Sequence, residues 1–161
     1  MSSSFQLVGL DPAPFAPLFE LSEPELRRHG ARRVTVDAHP GVPCRISMED
    51  AGVGESVLLL PYVHQPADSP YRASGPIYVR QNVQKSTLPP GEVNAYVTRR
   101  LISVRAYDAE HMLWRAEVVE GAELAAKLER IFQDSTPAYV HLHNAKHGCF
   151  FCRVERVELP A

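Results

Sequence analysis

His141 and His143 stand two residues apart near the end of the chain, and Cys149 and Cys152 follow. Side chains at i and i+2 of a strand share one face, so the two imidazoles lie together if this stretch is extended. An imidazolium next to a thiol lowers the thiol pKa and makes the thiolate available. A His143–Cys149 pair would then be a nucleophile with its base, or a redox-sensitive thiol. Two histidines with two cysteines are also a reasonable zinc set.

The turn Asn144–Gly148 helps weigh these readings. If it pairs 143 with 149, then 141 faces 151 and 140 faces 152. One face carries Tyr139, His141, His143, Cys149, Phe151 and Arg153. The other, the core face, carries Val140, Leu142, Phe150, Cys152 and Val154. This register separates Cys152 from the histidines and makes it a buried small apolar residue. A one-residue slip or a bulge would reverse that. The plain structural alternative is that His143 and Cys149 are half-exposed strand residues, since one hairpin supplies no third catalytic group. Asn144 and Gly148 fit the turn's need for positive φ.

A second set of polar groups lies in the stretch His64–Gly75, which holds His64, Gln65, Asp68, Ser69, Tyr71, Arg72 and Ser74. It reads as a long connection, and long ordered loops are often functional. Arg80 follows beside Tyr78, and Arg105 shares a face with Ser103 and Tyr107. Converging arginines would form a fork for a carboxylate or phosphate. Pairing with Asp68, Asp108 and Glu117 at the surface is the alternative. Arg99 and Arg100 suit the C-terminal end of a short helix. Phosphate-cradling glycine loops, HExxH and GxSxG are absent.

The elements that must position these groups follow from local pattern. Phe5–Val8 reads as a strand. Ser22-Glu-Pro-Glu25 reads as a capping box opening a helix that Gly30 ends. Arg33–Ala38 and Cys44–Met48 read as strands, and the apolar run Val57–Val63 as a central one. Ile77–Arg80 is a further strand, and a short helix runs from Pro89-Pro-Gly91 to about Arg100. Leu101–Tyr107 and Met112–Val119 form a hairpin. Leu124, Leu128, Ile131 and Phe132 make one stripe of a helix over about 122–133. Ala138–His143 and Cys149–Val157 are the last hairpin. The pattern is an α+β single domain over 1–161, its core at about 5–157, with a mostly antiparallel sheet and two or three helices packed on it.

Composition bounds the partners. The 161 residues suit one domain and bury a sizeable core without staples. Apolar residues are 45% and charged ones 22%, a globular balance. With 17 Lys and Arg against 19 Asp and Glu, net −2, nothing pulls the chain toward nucleic acid or anionic lipid. Its 14 prolines fall in loops and at strand ends. Three cysteines make no disulfide framework, and neither a secretory leader nor a membrane span is read. A reducing cytoplasm is the expected setting.

The segments PCR (43–45), HQPADSPYRASGPIYVR (64–80), RRLISVRAYD (99–108) and HLHNAKHGC (141–149) resemble the bacterial family called domain of unknown function 1203. The resemblance runs from about Phe5 to Val157. Its HxHNAxxGC stretch falls here on His141, His143, Asn144, Ala145, Gly148 and Cys149. The family carries no established activity, cofactor or catalytic residue, so the resemblance implies one domain and no function.

The leading expectation is a small-molecule-binding protein or enzyme whose ligand is a small anion. His143 and Cys149 are its candidate catalytic groups. His64, Tyr71, Arg72, Arg80, Arg105, His141 and Asn144 are its candidate ligand-binding groups. No metal ligand is assigned and no cofactor is named. One alternative is a non-enzymatic interaction module, a homodimer through an exposed strand edge. Another is a metal protein using His141, His143 and Cys149.

Overall fold

Alternation builds the C-terminal half. β7 (Leu101–Tyr107) buries Ile102, Val104 and Ala106 on one face and turns Ser103 and Arg105 to the other. It pairs antiparallel with β8 (Leu113–Glu120) on one side and β9 (Tyr139–Asn144) on the other. β9 pairs with β10 (Phe150–Glu158), which in turn takes β1 (Ser3–Val8) as the sheet edge. The result is a five-stranded antiparallel sheet in the order β1-β10-β9-β7-β8. The computed structural model describes residues 3–160.

One face of this sheet is covered by α3 (Leu124–Phe132), whose Leu124, Leu128, Ile131 and Phe132 are all buried in its core. α2 (Ala95–Thr98) adds Tyr96 and Val97 to the same core. The turn before α3 passes so close to α2 that a Cβ at Gly121 would strike the Val97 and Arg100 carbonyl oxygens. The sheet's other face is where Tyr139, His141 and His143 point.

The expected mostly antiparallel strands are divided between two sheets. The second has the order β2-β5-β6-β3-β4, formed by β2 (Arg32–Thr35), β5 (Ser56–Gln65), β6 (Ala73–Arg80), β3 (Pro43–Cys44) and β4 (Glu49–Asp50). It is antiparallel apart from the β3–β6 contact at Cys44 and Tyr78. Its core gathers Leu58, Leu60, Ile77 and Val79 with Phe15, Phe19 and Leu26. Leu26 lies on α1 (Glu23–Arg28), capped as its sequence predicts: Ser22 Oγ accepts from the Glu25 amide, and Gly30 takes φ +72°. The fold is thus α+β, mostly strand, with three short α-helices among the described residues, none of them long and apolar enough to cross a membrane.

Three local expectations change. The strand expected over Cys44–Met48 stops at Cys44, because the chain turns there: the Met48 amide returns to the Cys44 carbonyl, and Met48 has φ +52°. The helix expected from Pro89 to Arg100 shrinks to Ala95–Thr98. β5 runs on through His64 and Gln65, so the connection to β6 is only 66–72. Pro61 interrupts nothing because it faces Pro76, placing both missing amides on one rung.

Candidate functional site

Two β-bulges create the site. In β5, the register jumps between Tyr62 and Gln65, so Val63 and His64 together oppose one residue of β6. Such an insertion redirects a side chain: Val63 faces solvent and His64 reaches across to the first sheet. In β10, the jump lies between Phe150 and Cys152. The expected register therefore fails. His143 pairs with Phe150 and not Cys149, His141 with Arg153 and not 151, and Val140 with Val154 and not 152. The bulge exchanges two phenylalanines: Phe150 joins the histidines, and Phe151 stacks on Tyr96 in the core. Cys152 keeps its expected core position, 2% exposed.

The outcome is a cluster of His64, His141 and His143, each with a ring nitrogen within 4.8 Å of the others'. His141 and His143 are 2% and 1% exposed. The His64 ring lies edge-on to His143 with centroids 5.0 Å apart and stacks on Phe150 at 5.5 Å. Tyr107 and Tyr139 close the side by His141, each ring 5.2 Å from it. Tyr139 Oη is held by Gln65 and His111, and Tyr71 caps Tyr107 edge-on from the 66–72 loop.

The proton on His143 is fixed by its neighbours. Nδ1 lies 3.0 Å from the Gly148 carbonyl, which can only accept. Nε2 lies 3.5 Å from Arg105 Nη1, which can only donate. Nδ1 therefore carries the hydrogen and Nε2 presents a lone pair. Nδ1 of His64 and of His141 is buried with no hydrogen-bond partner among the described residues. Burial pushes the imidazoles toward the neutral form: His141 falls to about 3 and His143 to about 4, with Arg153 and Arg105 adding repulsion. His64 is lowered for the same reasons, burial first and Arg105 second. Three neutral imidazoles with converging nitrogens can bind a metal ion or donate and accept hydrogen bonds to a ligand.

Two arginines flank the cluster. Arg105, His141 and Arg153 are opposite one another across β7, β9 and β10. Arg105 bonds Ser103 Oγ and His143 and has no carboxylate partner among the described residues. Arg153 stacks over Tyr139 and meets Glu155 at 3.5 Å.

The remaining expected residues lie elsewhere. Arg80 bonds Glu55 at 2.8 Å and Ser47, in the connections beside its own sheet, so it forms no fork with Arg105. Arg72 returns to the Pro66 carbonyl of its own loop. Asn144 Oδ1 accepts from the amides of Lys146 and His147, shaping the turn. Cys149 Sγ meets Arg45 Nη2 at 3.1 Å and His143 Nδ1 meets the Gly148 carbonyl, so the two residues do not close the expected histidine–thiol pair. Arg45, 2% exposed, has no site role legible in the sequence because its partner Phe150 is 105 positions away. Phe150 itself was assigned to the core face by the unbulged register.

The family model described as protein of unknown function (DUF1203) matches residues 41–156. The chain belongs to that family. The match starts later than the resemblance read from Phe5 onward, leaving β1, α1 and β2 outside it. Within it fall all three clustered histidines, Arg105, Arg45 and Cys149, so the site is part of the DUF1203 region. No curated protein and no solved structure matches the chain.

Proposed function

We propose that the protein binds a divalent transition metal through His64, His141 and His143 and presents it to a small anionic ligand beside Arg105. The carrying observation is the convergence of three ring nitrogens within 4.8 Å, two of the rings almost fully buried and all three displaced toward neutrality. A metal ligand must offer a lone pair, and imidazole suits zinc, copper, iron and nickel. The Nδ1–H of His143 on a backbone carbonyl is the outer bond that orients metal-bound histidines. Three protein ligands leave a position open, as reactive rather than purely structural zinc sites do.

The arginines supply the second half of the reading. A dication placed beside Arg105 and Arg153 is repelled unless negative charge accompanies it. Arg105 has no carboxylate partner among the described residues, so an anion bridging the metal and the guanidinium balances both. This joins the expected anionic ligand to the expected metal protein, with His64 as the third ligand in place of Cys149.

Thermal unfolding tests the reading. Zinc at about 100 times its Kd contributes roughly 2.7 kcal/mol to the wild type. That raises Tm by about 5–10 °C for a chain of this size. His143→Ala is expected to abolish the shift. Arg105→Ala is expected to retain zinc binding while losing the further shift produced by phosphate or acetate. A wild type that zinc leaves unmoved would sink the proposal. An anion shift that occurs without zinc and disappears in Arg105→Ala would leave only an anion site.

A further inference from the structure

On the other side of the hairpin turn, a cleft of about 360 Å³ is lined by Arg45, Arg99, Arg100, Lys146, His147 and Cys149 among others. Among the described residues its lining contains no Asp or Glu. We propose that this cleft is a second site, taking a small oxyanion such as phosphate, sulfate or a carboxylate directly over the Cys149 thiol.

The charge balance carries the argument. Asp50, its side chain 1% exposed, lies behind the cleft and engages both Arg99 and Arg100, so one buried carboxylate serves two guanidiniums. Arg45 and Lys146 have no carboxylate within 4.0 Å among the described residues. Arg45 is almost fully buried, and its three nitrogens go to the carbonyls of Phe150 and Pro43 and to Cys149 Sγ. A buried guanidinium without a counter-ion is costly, and carbonyl dipoles meet its hydrogen bonds without cancelling its charge. An anion in the cleft would cancel it. The turn is built to present the Lys146 ammonium, because Asn144 Oδ1 ties down the amides of Lys146 and His147. The volume suits a small molecule.

The site is separate from the histidine cluster but abuts it. The ring of Phe150 stacks on His64, while its carbonyl accepts from Arg45. The inference does not rest on metal binding and survives its failure.

Charge-selective alkylation tests it. Iodoacetate and iodoacetamide both form an S–C bond to Cys149 as the C–I bond breaks, iodide leaving and the thiol proton passing to buffer. Only iodoacetate is an anion. The two rates at Cys149 are measured by mass spectrometry in native and in unfolded protein at low ionic strength. The iodoacetate-to-iodoacetamide ratio is expected to be at least about tenfold higher in the native protein, since a cationic cleft concentrates anions. Millimolar inorganic phosphate should slow native labelling by iodoacetate saturably, beyond chloride at equal ionic strength. Lys146→Ala, on the exposed turn, should lower the ratio severalfold, whereas Arg45→Ala is a poorer probe because Arg45 also supports the fold. A native ratio equal to the unfolded one, phosphate acting no better than chloride, or no labelling of Cys149 by either reagent would each overturn the proposal.

Discussion

Acid should weaken the fold through His141 and His143 specifically. Both have folded-state values, about 3 and about 4, well below the ordinary ~6.5 of a histidine in the unfolded chain. Between those limits the unfolded chain binds more protons, so stability rises with pH, is complete above ~6.5 and is lost as pH falls. Going from pH 7 to pH 5 crosses about 1.5 pH units of this window at roughly 1.4 kcal/mol per unit. Each histidine then removes roughly 2 kcal/mol, the pair roughly 4, and His64 adds to the same sign. At 2–4 °C per kcal/mol for a chain of this length, the metal-free protein should lose about 10 °C in Tm. The assay is thermal unfolding at both pH values for the wild type and for a His141→Gln/His143→Gln double variant. Glutamine does not titrate, so the variant starts lower but loses far less on acidification. Equal losses in the two proteins would refute the claim that these imidazoles are buried neutral.

Other consequences are independent of the site. Asp50→Asn removes the carboxylate that engages Arg99 and Arg100 and should cost about 3 kcal/mol by urea denaturation. Gly121→Ala drives a methyl into two carbonyl oxygens and should destabilise by more than the few tenths typical of a loop change, read as a lower urea midpoint. Burial pushes the Cys152 thiol up to about 12, so in native protein at pH 8 it should resist alkylation that modifies it readily after unfolding.

What the sequence made legible was local. The Ser22 cap, the stripe of Leu124, Leu128, Ile131 and Phe132, and the β7–β8 hairpin all follow from period and capping chemistry, whose partners are near in sequence. His64, His141 and His143 were each legible as polar residues without a structural task. Their meeting was not, because it depends on two bulges that no period reveals. The turn also runs one residue longer than expected, pairing His143 with Phe150, and the bulge at Phe151 makes the shift two residues from Leu142 onward. That took Cys149 from its expected place opposite His143 to the cleft, and brought Phe150 to the histidines in its stead. Arg45 enters only within the PCR segment of the family resemblance, since the role of a buried arginine is recognised only by its distant partners.

The most direct measurement is equilibrium dialysis of untagged protein against zinc or cobalt, with the metal counted per chain by elemental analysis. Binding through His64, His141 and His143 predicts about one ion per wild-type chain, retained in Cys149→Ser and lost in His64→Ala and in His143→Ala. A wild type that binds no stoichiometric metal would contradict the account, as would histidine variants that bind as much as the wild type.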